Sequence, residues 1–154
     1  MSNTHNTASL VVKRNFNVSI TSLFDAWTIP DVFLKWFGPP GFQCVEMDAD
    51  VSVGGGFHIH MVGPDPKKIH YHIRGTYRDV IQNKRLVFTW KWDGPIRNET
   101  ETLVEIEFNE KQDCTELVLS HFYLPNEDEV NGHKSGWLGS FSCLQTFLEE
   151  SNND

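Results

Sequence analysis

The C-terminal segment 125–150 carries the longest amphipathic pattern in the chain. Four large apolar residues recur there at steps of four, three and four, namely Trp137, Phe141, Leu144 and Leu148. This spacing places them on one face of an α-helix. Asn126 is the expected N-cap of that helix, with Glu129 three residues later. Because a long helix with one apolar face needs a surface to cover, the rest of the chain has to supply one.

The residues ahead of this helix predict seven strands, with two short helices between the first strand and the second. Ser19 is the expected N-cap of the first helix, which ends before Pro30 because a residue ahead of proline avoids helical angles. The second helix, 31–36, ends at the loop 38–41, where two prolines lack amide donors. The predicted strands are residues 10–17, 42–47, 57–62, 69–80, 86–92, 100–108 and 115–123.

Alternating side chains along these strands indicate a sheet with one apolar face. In strand 100–108, Val104 and Ile106 point to one side while glutamates point to the other. The last strand adds two polar residues, His121 and Tyr123, to the inward-facing set. The pattern predicts an α+β fold, in which the terminal helix covers one seven-stranded antiparallel sheet.

Composition limits the possible classes of function. The 154 residues predict one domain over 1–154, with an ordered part of about 9–150. With 13 Lys and Arg against 21 Asp and Glu, the net charge is −8, which disfavours nucleic acids as partners. Three widely spaced cysteines indicate neither disulfides nor a metal knuckle. No targeting signal or membrane-spanning run is found, so we expect a cytoplasmic protein.

Several short motifs together resemble a known family. They are residues 14–16, 23–30, 36–42, Asp50 with 54–55, 75–77, 86–90 and 132–137. The combination is similar to the small proteins related to the C-terminal domain of the activator of the ninety-kilodalton heat-shock-protein ATPase, within the START-like (SRPBCC) superfamily. The resemblance covers about residues 10–150. The chain departs from the pattern at Phe37, where the family often has tryptophan, and at Val53, where it often has proline.

The resemblance implies a helix-grip fold, in which a curved sheet holds the C-terminal helix across its concave face around an apolar cavity. The aromatic-rich inner face predicts a hydrophobic or aromatic small molecule as the ligand, with lipid binding or a stress response as the expected context. Trp36 and Phe37 are expected near an entrance, and His121 is the expected polar contact. The full set of expected ligand-binding residues is Trp36, Phe37, Phe57, Ile59, Met61, Tyr71, Ile73, Phe88, Trp90, Val104, Leu119, His121, Trp137 and Phe141.

Two other functions stay open at this point. The family name suggests a co-chaperone-like domain whose partner is a heat-shock chaperone. A cyclase-like or hydrolytic enzyme of the same superfamily is the third possibility, with His121 and Tyr123 as its acid and base and Arg14 as a further inward-facing polar group. The glycines 54–56 are not followed by a phosphate-loop Lys, and no nucleophile motif is present. We therefore predict no catalytic residue, cofactor or metal, and the sequence leaves the oligomeric state open.

Four histidines form two His-x-His pairs on adjacent predicted strands, at His58 and His60 and at His70 and His72. A hairpin turning about Asp65 would pair His60 with His70 and His58 with His72, with Cβ atoms about 5 Å apart on the outer face of the sheet. A flat sheet suits tetrahedral metal ligation poorly. We therefore expect a solvated polar face that binds metal weakly if at all.

Overall fold

A computed structural model describes residues 7–95, 97 and 99–152 of the chain. Within that part, the elements in chain order are β1 (Ala8–Phe16), α1 (Ile20–Thr28), α2 (Pro30–Trp36), β2 (Gln43–Ala49), β3 (Gly56–Val62), β4 (His70–Ile81), β5 (Arg85–Trp92), β6 (Thr102–Glu110), β7 (Thr115–Leu124) and α3 (Glu127–Asn152). The predicted boundaries differ from these by at most two residues. None of the described helices is both long and apolar enough to cross a membrane.

The seven strands form one antiparallel sheet in the order β1-β7-β6-β5-β4-β3-β2. The α1–α2 segment connects the two outermost strands, β1 and β2, so it has to cross the sheet. This arrangement, with the long helix α3 packed against β1, β7 and α2, confirms the predicted α+β helix-grip fold. The first strand therefore lies beside the last one, although they are far apart in sequence.

The residue at the start of each short helix explains where that helix begins. Ser19 caps α1, since its Oγ accepts a hydrogen bond from the Ser22 amide at 3.1 Å. Helix α2 begins at Pro30, one residue earlier than predicted. Proline suits the first helical position because the missing amide donor would be unsatisfied there in any case.

Helix α3 buries the predicted apolar stripe. The side chains of Trp137, Phe141, Leu144 and Leu148 are all buried. Asn126 is the N-cap, as expected, because its Oδ1 accepts a hydrogen bond from the Glu129 amide at 2.9 Å. The helix is thus specified at its start by a cap and along its length by one face.

The predicted inward orientation of Tyr123 is wrong. Its side chain is 59% exposed, while the next residue, Leu124, is fully buried. The pairing of β7 with β1 shifts between the Leu10–His121 and Ala8–Leu124 pairs, so β7 contains a bulge here. Tyr123 has a φ of 68°, in the left-handed region. The extra residue of a bulge interrupts alternation and re-aims the side chains that follow.

The predicted register of the histidine hairpin is also wrong, by two residues. His60 pairs with His72, and His58 pairs with Arg74. The connection is closed by a hydrogen bond from the Gly63 amide to the Ile69 carbonyl at 2.7 Å, which centres the turn on Pro66 rather than on Asp65. Because side chains alternate with a period of two, a shift of two residues keeps all four histidines on the predicted outer face.

We predict that Trp137→Ala lowers the free energy of unfolding by about 3–5 kcal/mol, since it empties a large buried aromatic site. Urea denaturation measures this change. Leu138→Ala is the matched control, because Leu138 is the next residue of α3 and its side chain is 37% exposed. A loss for Trp137→Ala within the usual surface scatter of about 0.5 kcal/mol would contradict the packing described for α3.

Candidate ligand-binding cavity

A cavity of about 200 Å³ lies beneath the first half of α3. The loop after α2 forms one side, and strands β3, β4 and β5 form its floor. Six aromatic side chains line it, namely Phe37, Phe42, Tyr71, Trp90, Trp92 and Trp137. The remaining lining residues are Pro39, Met61, Arg97, Gly132, His133, Gly136 and Ser140.

Strand pairing brings the floor residues together. Met61 on β3 lies opposite Tyr71 on β4, so both point to the inner face at the same level. The Tyr71 ring meets Trp92 of β5 edge to face, with ring centroids 5.9 Å apart. Trp90, two residues earlier on β5, packs against Trp137 of α3 at 5.1 Å. The contact between Trp90 and Trp137 is therefore where the helix meets the floor.

Glycines on α3 help to leave the cavity open. A Cβ atom placed on Gly132 or Gly136 would meet no other atom within 4 Å. At Gly139, by contrast, a Cβ would lie 3.1 Å from side-chain atoms of Pro39 and of Pro40. The first two glycines thus border open space, whereas Gly139 allows the proline loop to approach the helix closely.

His133 is a cavity residue that the sequence analysis did not identify. Its Nε2 accepts a hydrogen bond from Trp92 Nε1 at 3.0 Å, and its Nδ1 donates to the Glu129 carbonyl at 2.7 Å. Because an indole nitrogen can only donate, these contacts fix the neutral Nδ1–H tautomer. Burial lowers the pKa of His133, against the opposing effect of the Glu129 hydrogen bond. His133 lies four residues before Trp137 and therefore on the same face of α3. Continuing the apolar stripe by one turn toward the N-terminus predicts that His133 faces the sheet.

His121 is fully buried and does not line the cavity. Its Nδ1 accepts a hydrogen bond from Trp137 Nε1 at 3.1 Å, and its Nε2 lies 2.7 Å from the Thr102 hydroxyl. That hydroxyl in turn donates to the Trp90 carbonyl at 3.0 Å. Since the Trp137 indole only donates, His121 carries its proton on Nε2. Burial, helped by the neighbouring His133, lowers the pKa of His121 to about 3.

The charged group at the cavity is Arg97. Its guanidinium lies over the Trp92 ring at 4.1 Å from the centroid. It also makes ion pairs with Glu99 at 2.6 Å and with Glu129 at 2.7 Å. Glu99, Glu129 and His133 hold ligand atoms within 4.8 Å of one another, a spacing that would suit a metal ion. Arg97 balances one of the two carboxylate charges there, so the three ionic groups together carry a formal charge of −1.

The structure brings five of the predicted ligand-binding residues into the cavity. These are Phe37, Met61, Tyr71, Trp90 and Trp137. Three others line a much smaller void of about 10 Å³ that Trp90 also borders, namely Phe57, Ile59 and Phe88. The rest lie in the packed core away from both spaces, namely Trp36, Ile73, Val104, Leu119, His121 and Phe141.

Trp36, Arg14 and Tyr123 also lie away from the cavity, and only Arg14 has the orientation that the sequence predicts. Trp36 does not border the entrance, because its indole donates to the Ala26 carbonyl at 2.9 Å inside the core. Arg14 faces inward, as expected, but it lies on the edge strand β1, where it donates to Ser142 Oγ of α3 at 3.2 Å and does not reach the cavity. Tyr123 is exposed, so it does not share a site with buried His121.

One buried donor beside the cavity has no partner among the described residues. It is the indole N–H of Trp90, whose side chain is 4% exposed. An unsatisfied buried donor costs about 1–3 kcal/mol. An acceptor atom placed against Trp90, in the cavity or in the small void, would recover that free energy.

Comparisons with known proteins agree with this architecture. The family model described as "Activator of Hsp90 ATPase homolog 1-like protein" matches residues 17–149. The crystal structure of the AHSA1 protein of Silicibacter pomeroyi is 25% identical, with a TM-score of 0.84 over 94% of this chain and 99% of that one. A protein of Nitrosomonas europaea is 21% identical, with a TM-score of 0.80 over 95% and 97%. None of the curated proteins compared with the chain matches it.

We predict that stability falls as the pH is lowered from about 7 to about 5. His121 stays neutral in the folded protein well below the usual histidine pKa of 6.5, whereas the unfolded chain takes up a proton there. This one group therefore removes up to about 1.4 kcal/mol per pH unit below its unfolded pKa. Urea denaturation across this range should give a shallower pH dependence for His121→Gln, which keeps a donor and an acceptor. Equal slopes for the two proteins would contradict the assignment.

Proposed function

The chain belongs to the family of Activator of Hsp90 ATPase homolog 1-like proteins, and we propose that it binds a small aromatic molecule in the cavity beneath α3. One observation carries this proposal. Six aromatic side chains surround an open volume of about 200 Å³ instead of closing it. Ligand sites in proteins are typically concave, mostly apolar and provided with a few polar groups.

The volume sets the size of the ligand. An apolar cavity of about 150 Å³ is enough to hold benzene. The 200 Å³ beneath α3 therefore accommodates a molecule of one or two rings. A sterol or a long fatty acid would extend well beyond this space. Among hydrophobic or aromatic ligands, compact aromatic compounds therefore fit best.

The polar groups set the ligand's chemistry. The unpaired indole N–H of Trp90 would favour a ligand that carries a hydrogen-bond acceptor. Arg97 lines the cavity but is already paired with Glu99 and Glu129, so a ligand carboxylate would have to compete with both for it. A neutral aromatic ring system with a carbonyl or ether oxygen fits both features. Such contacts fix orientation, whereas apolar burial supplies most of the affinity.

Binding is favoured over acid–base catalysis by the positions of the titratable groups. His121 and Tyr123, the two candidates from the sequence, lie apart, one fully buried and the other exposed. At the cavity, both ring nitrogens of His133 already have hydrogen-bond partners. A general acid or base needs to reach the substrate, and neither histidine presents a free nitrogen to the cavity.

We predict that coumarin binds the protein more tightly than naphthalene, which lacks the acceptor, and more tightly than 2-naphthoate, which is anionic. Quenching of tryptophan fluorescence measures the three affinities. Gly136→Leu should weaken coumarin binding at least about tenfold, or 1.4 kcal/mol, because its side chain grows into open space. Gly136→Ala is the matched control, since it adds a single methyl group and favours the helix by up to about 1 kcal/mol.

Two results would overturn the proposal. Equal coumarin affinity in the wild-type protein and in Gly136→Leu would place the ligand outside the cavity. Absence of binding by every compact aromatic probe, together with capture of a purified heat-shock chaperone by the wild-type protein, would favour the co-chaperone-like function instead. Thermal denaturation of both glycine variants verifies that any loss of binding is not a loss of folding.

A further inference from the structure

A second possible site lies on the opposite face of the sheet. We name the side chains of His58, His60, His70 and His72 the outer histidine cluster. Because β3 alternates, Phe57, Ile59 and Met61 are buried on the inner face while His58 and His60 point outward. The cluster is therefore separated from the aromatic cavity by the sheet itself.

The imidazoles of the cluster contact one another directly. His58 Nε2 lies 2.9 Å from His72 Nδ1, and His60 Nε2 lies 2.8 Å from His70 Nδ1. The rings of His60 and His72 stack with centroids 4.4 Å apart, which joins the two pairs into one row. Within each pair, one ring nitrogen donates its proton and the ring nitrogen that faces it accepts with its lone pair.

We propose that the outer histidine cluster binds a divalent transition-metal ion that prefers right-angled nitrogen ligands, as Cu²⁺ and Ni²⁺ do. In the simplest arrangement, His58 Nε2 and His72 Nδ1 hold one ion after both rings turn so that their lone pairs converge on it, and the proton shared between them moves to the outer nitrogen of the ring that donated it.

The nitrogen spacing is compatible with right-angled ligation. Two ligands at a right angle, each about 2.05 Å from an ion, lie about 2.9 Å apart, whereas tetrahedral ligands at that distance lie about 3.3 Å apart. The observed spacings of 2.8 and 2.9 Å are those of N–H···N hydrogen bonds, and they already hold each pair of nitrogens at the separation that right-angled ligands require. Square-planar or tetragonal sites with nitrogen and oxygen ligands are typical of Cu²⁺ and Ni²⁺. A flat sheet disfavours tetrahedral ligation but not this right-angled geometry.

Acidic groups beside the cluster favour a cation. The Glu46 carboxylate lies 3.9 Å from His58 Nδ1, and ligand atoms of Glu46, Asp48 and His58 lie within 4.8 Å of one another. A carboxylate facing the second nitrogen of a metal-binding histidine orients the ring and raises its basicity. The opposing charge is Arg74, which lies across from His58 but is paired with Asp93 at 2.8 Å.

The protonation states also suit metal binding. Burial lowers the pKa of His58, with a further contribution from the Arg74 charge. Burial likewise lowers the pKa of His60, with its histidine neighbours acting in the same direction. A histidine must be neutral to bind a metal, so these imidazoles are available near neutral pH.

Calorimetric titration with Ni²⁺ tests the proposal on the full-length protein. We expect saturation at one ion per chain. Removing only an orienting partner of a metal ligand typically lowers metal affinity 10–100-fold. Because His58→Gln with His72→Gln removes the two ligands themselves, it should lower the affinity at least about tenfold. The matched control is His5→Gln, the same substitution outside the cluster. The electron paramagnetic resonance spectrum of bound Cu²⁺ should show nitrogen hyperfine splitting that the double variant loses.

Three outcomes would overturn the proposal. They are Ni²⁺ affinity that is unchanged in the double variant, affinity that is lost in the His5→Gln control, and a Cu²⁺ spectrum without nitrogen ligands. Replacing His60 and His70 by glutamine shows whether the second pair contributes, since a further loss of affinity would extend the site to all four residues. Coumarin binding should be unaffected by these substitutions, because the cavity lies on the other face.

Discussion

The buried hydrogen bond from Trp137 Nε1 to His121 Nδ1 joins the long helix to the sheet. It requires a neutral imidazole, because the indole can only donate and His121 Nδ1 must therefore accept. The single imidazole proton is then on Nε2, which donates to Thr102. Breaking this contact would leave a buried polar atom unpaired, at a cost of about 1–3 kcal/mol. The position of Trp137, and with it one wall of the cavity, depends on this bond.

The two halves of α3 differ in what they contact. Phe141, Leu144 and Leu148 in the second half close the core against the sheet. In the first half, Gly132 and Gly136 border open space. Aromatic residues from the strands line that space without filling it. A single helix thus stabilises the fold with Trp137 and its C-terminal half, and leaves room for a ligand beside Gly132 and Gly136.

Alternation and helical periodicity were enough to predict the faces of the strands and the stripe of α3, because both follow from backbone geometry. Tyr123 was misplaced because a bulge depends on how β1 and β7 pair, which β7 alone does not reveal. The histidine register was missed because it depends on where a loop with two prolines turns. Alternation along β7 predicts that His121 faces the ligand. The imidazole is instead hydrogen-bonded to Thr102 on β6, a partner that the sequence of β7 does not reveal.

The central claim is that an aromatic ligand enters the space bordered by Trp90, Trp92 and Trp137. The chain has five tryptophans, and the other two, Trp27 and Trp36, do not line that space. The most direct test is a ¹H–¹⁵N spectrum of the five indole N–H groups recorded during titration with coumarin. The account predicts large shifts for the three cavity tryptophans and small ones for Trp27 and Trp36. Equal shifts for all five, or shifts confined to Trp27 and Trp36, would contradict it.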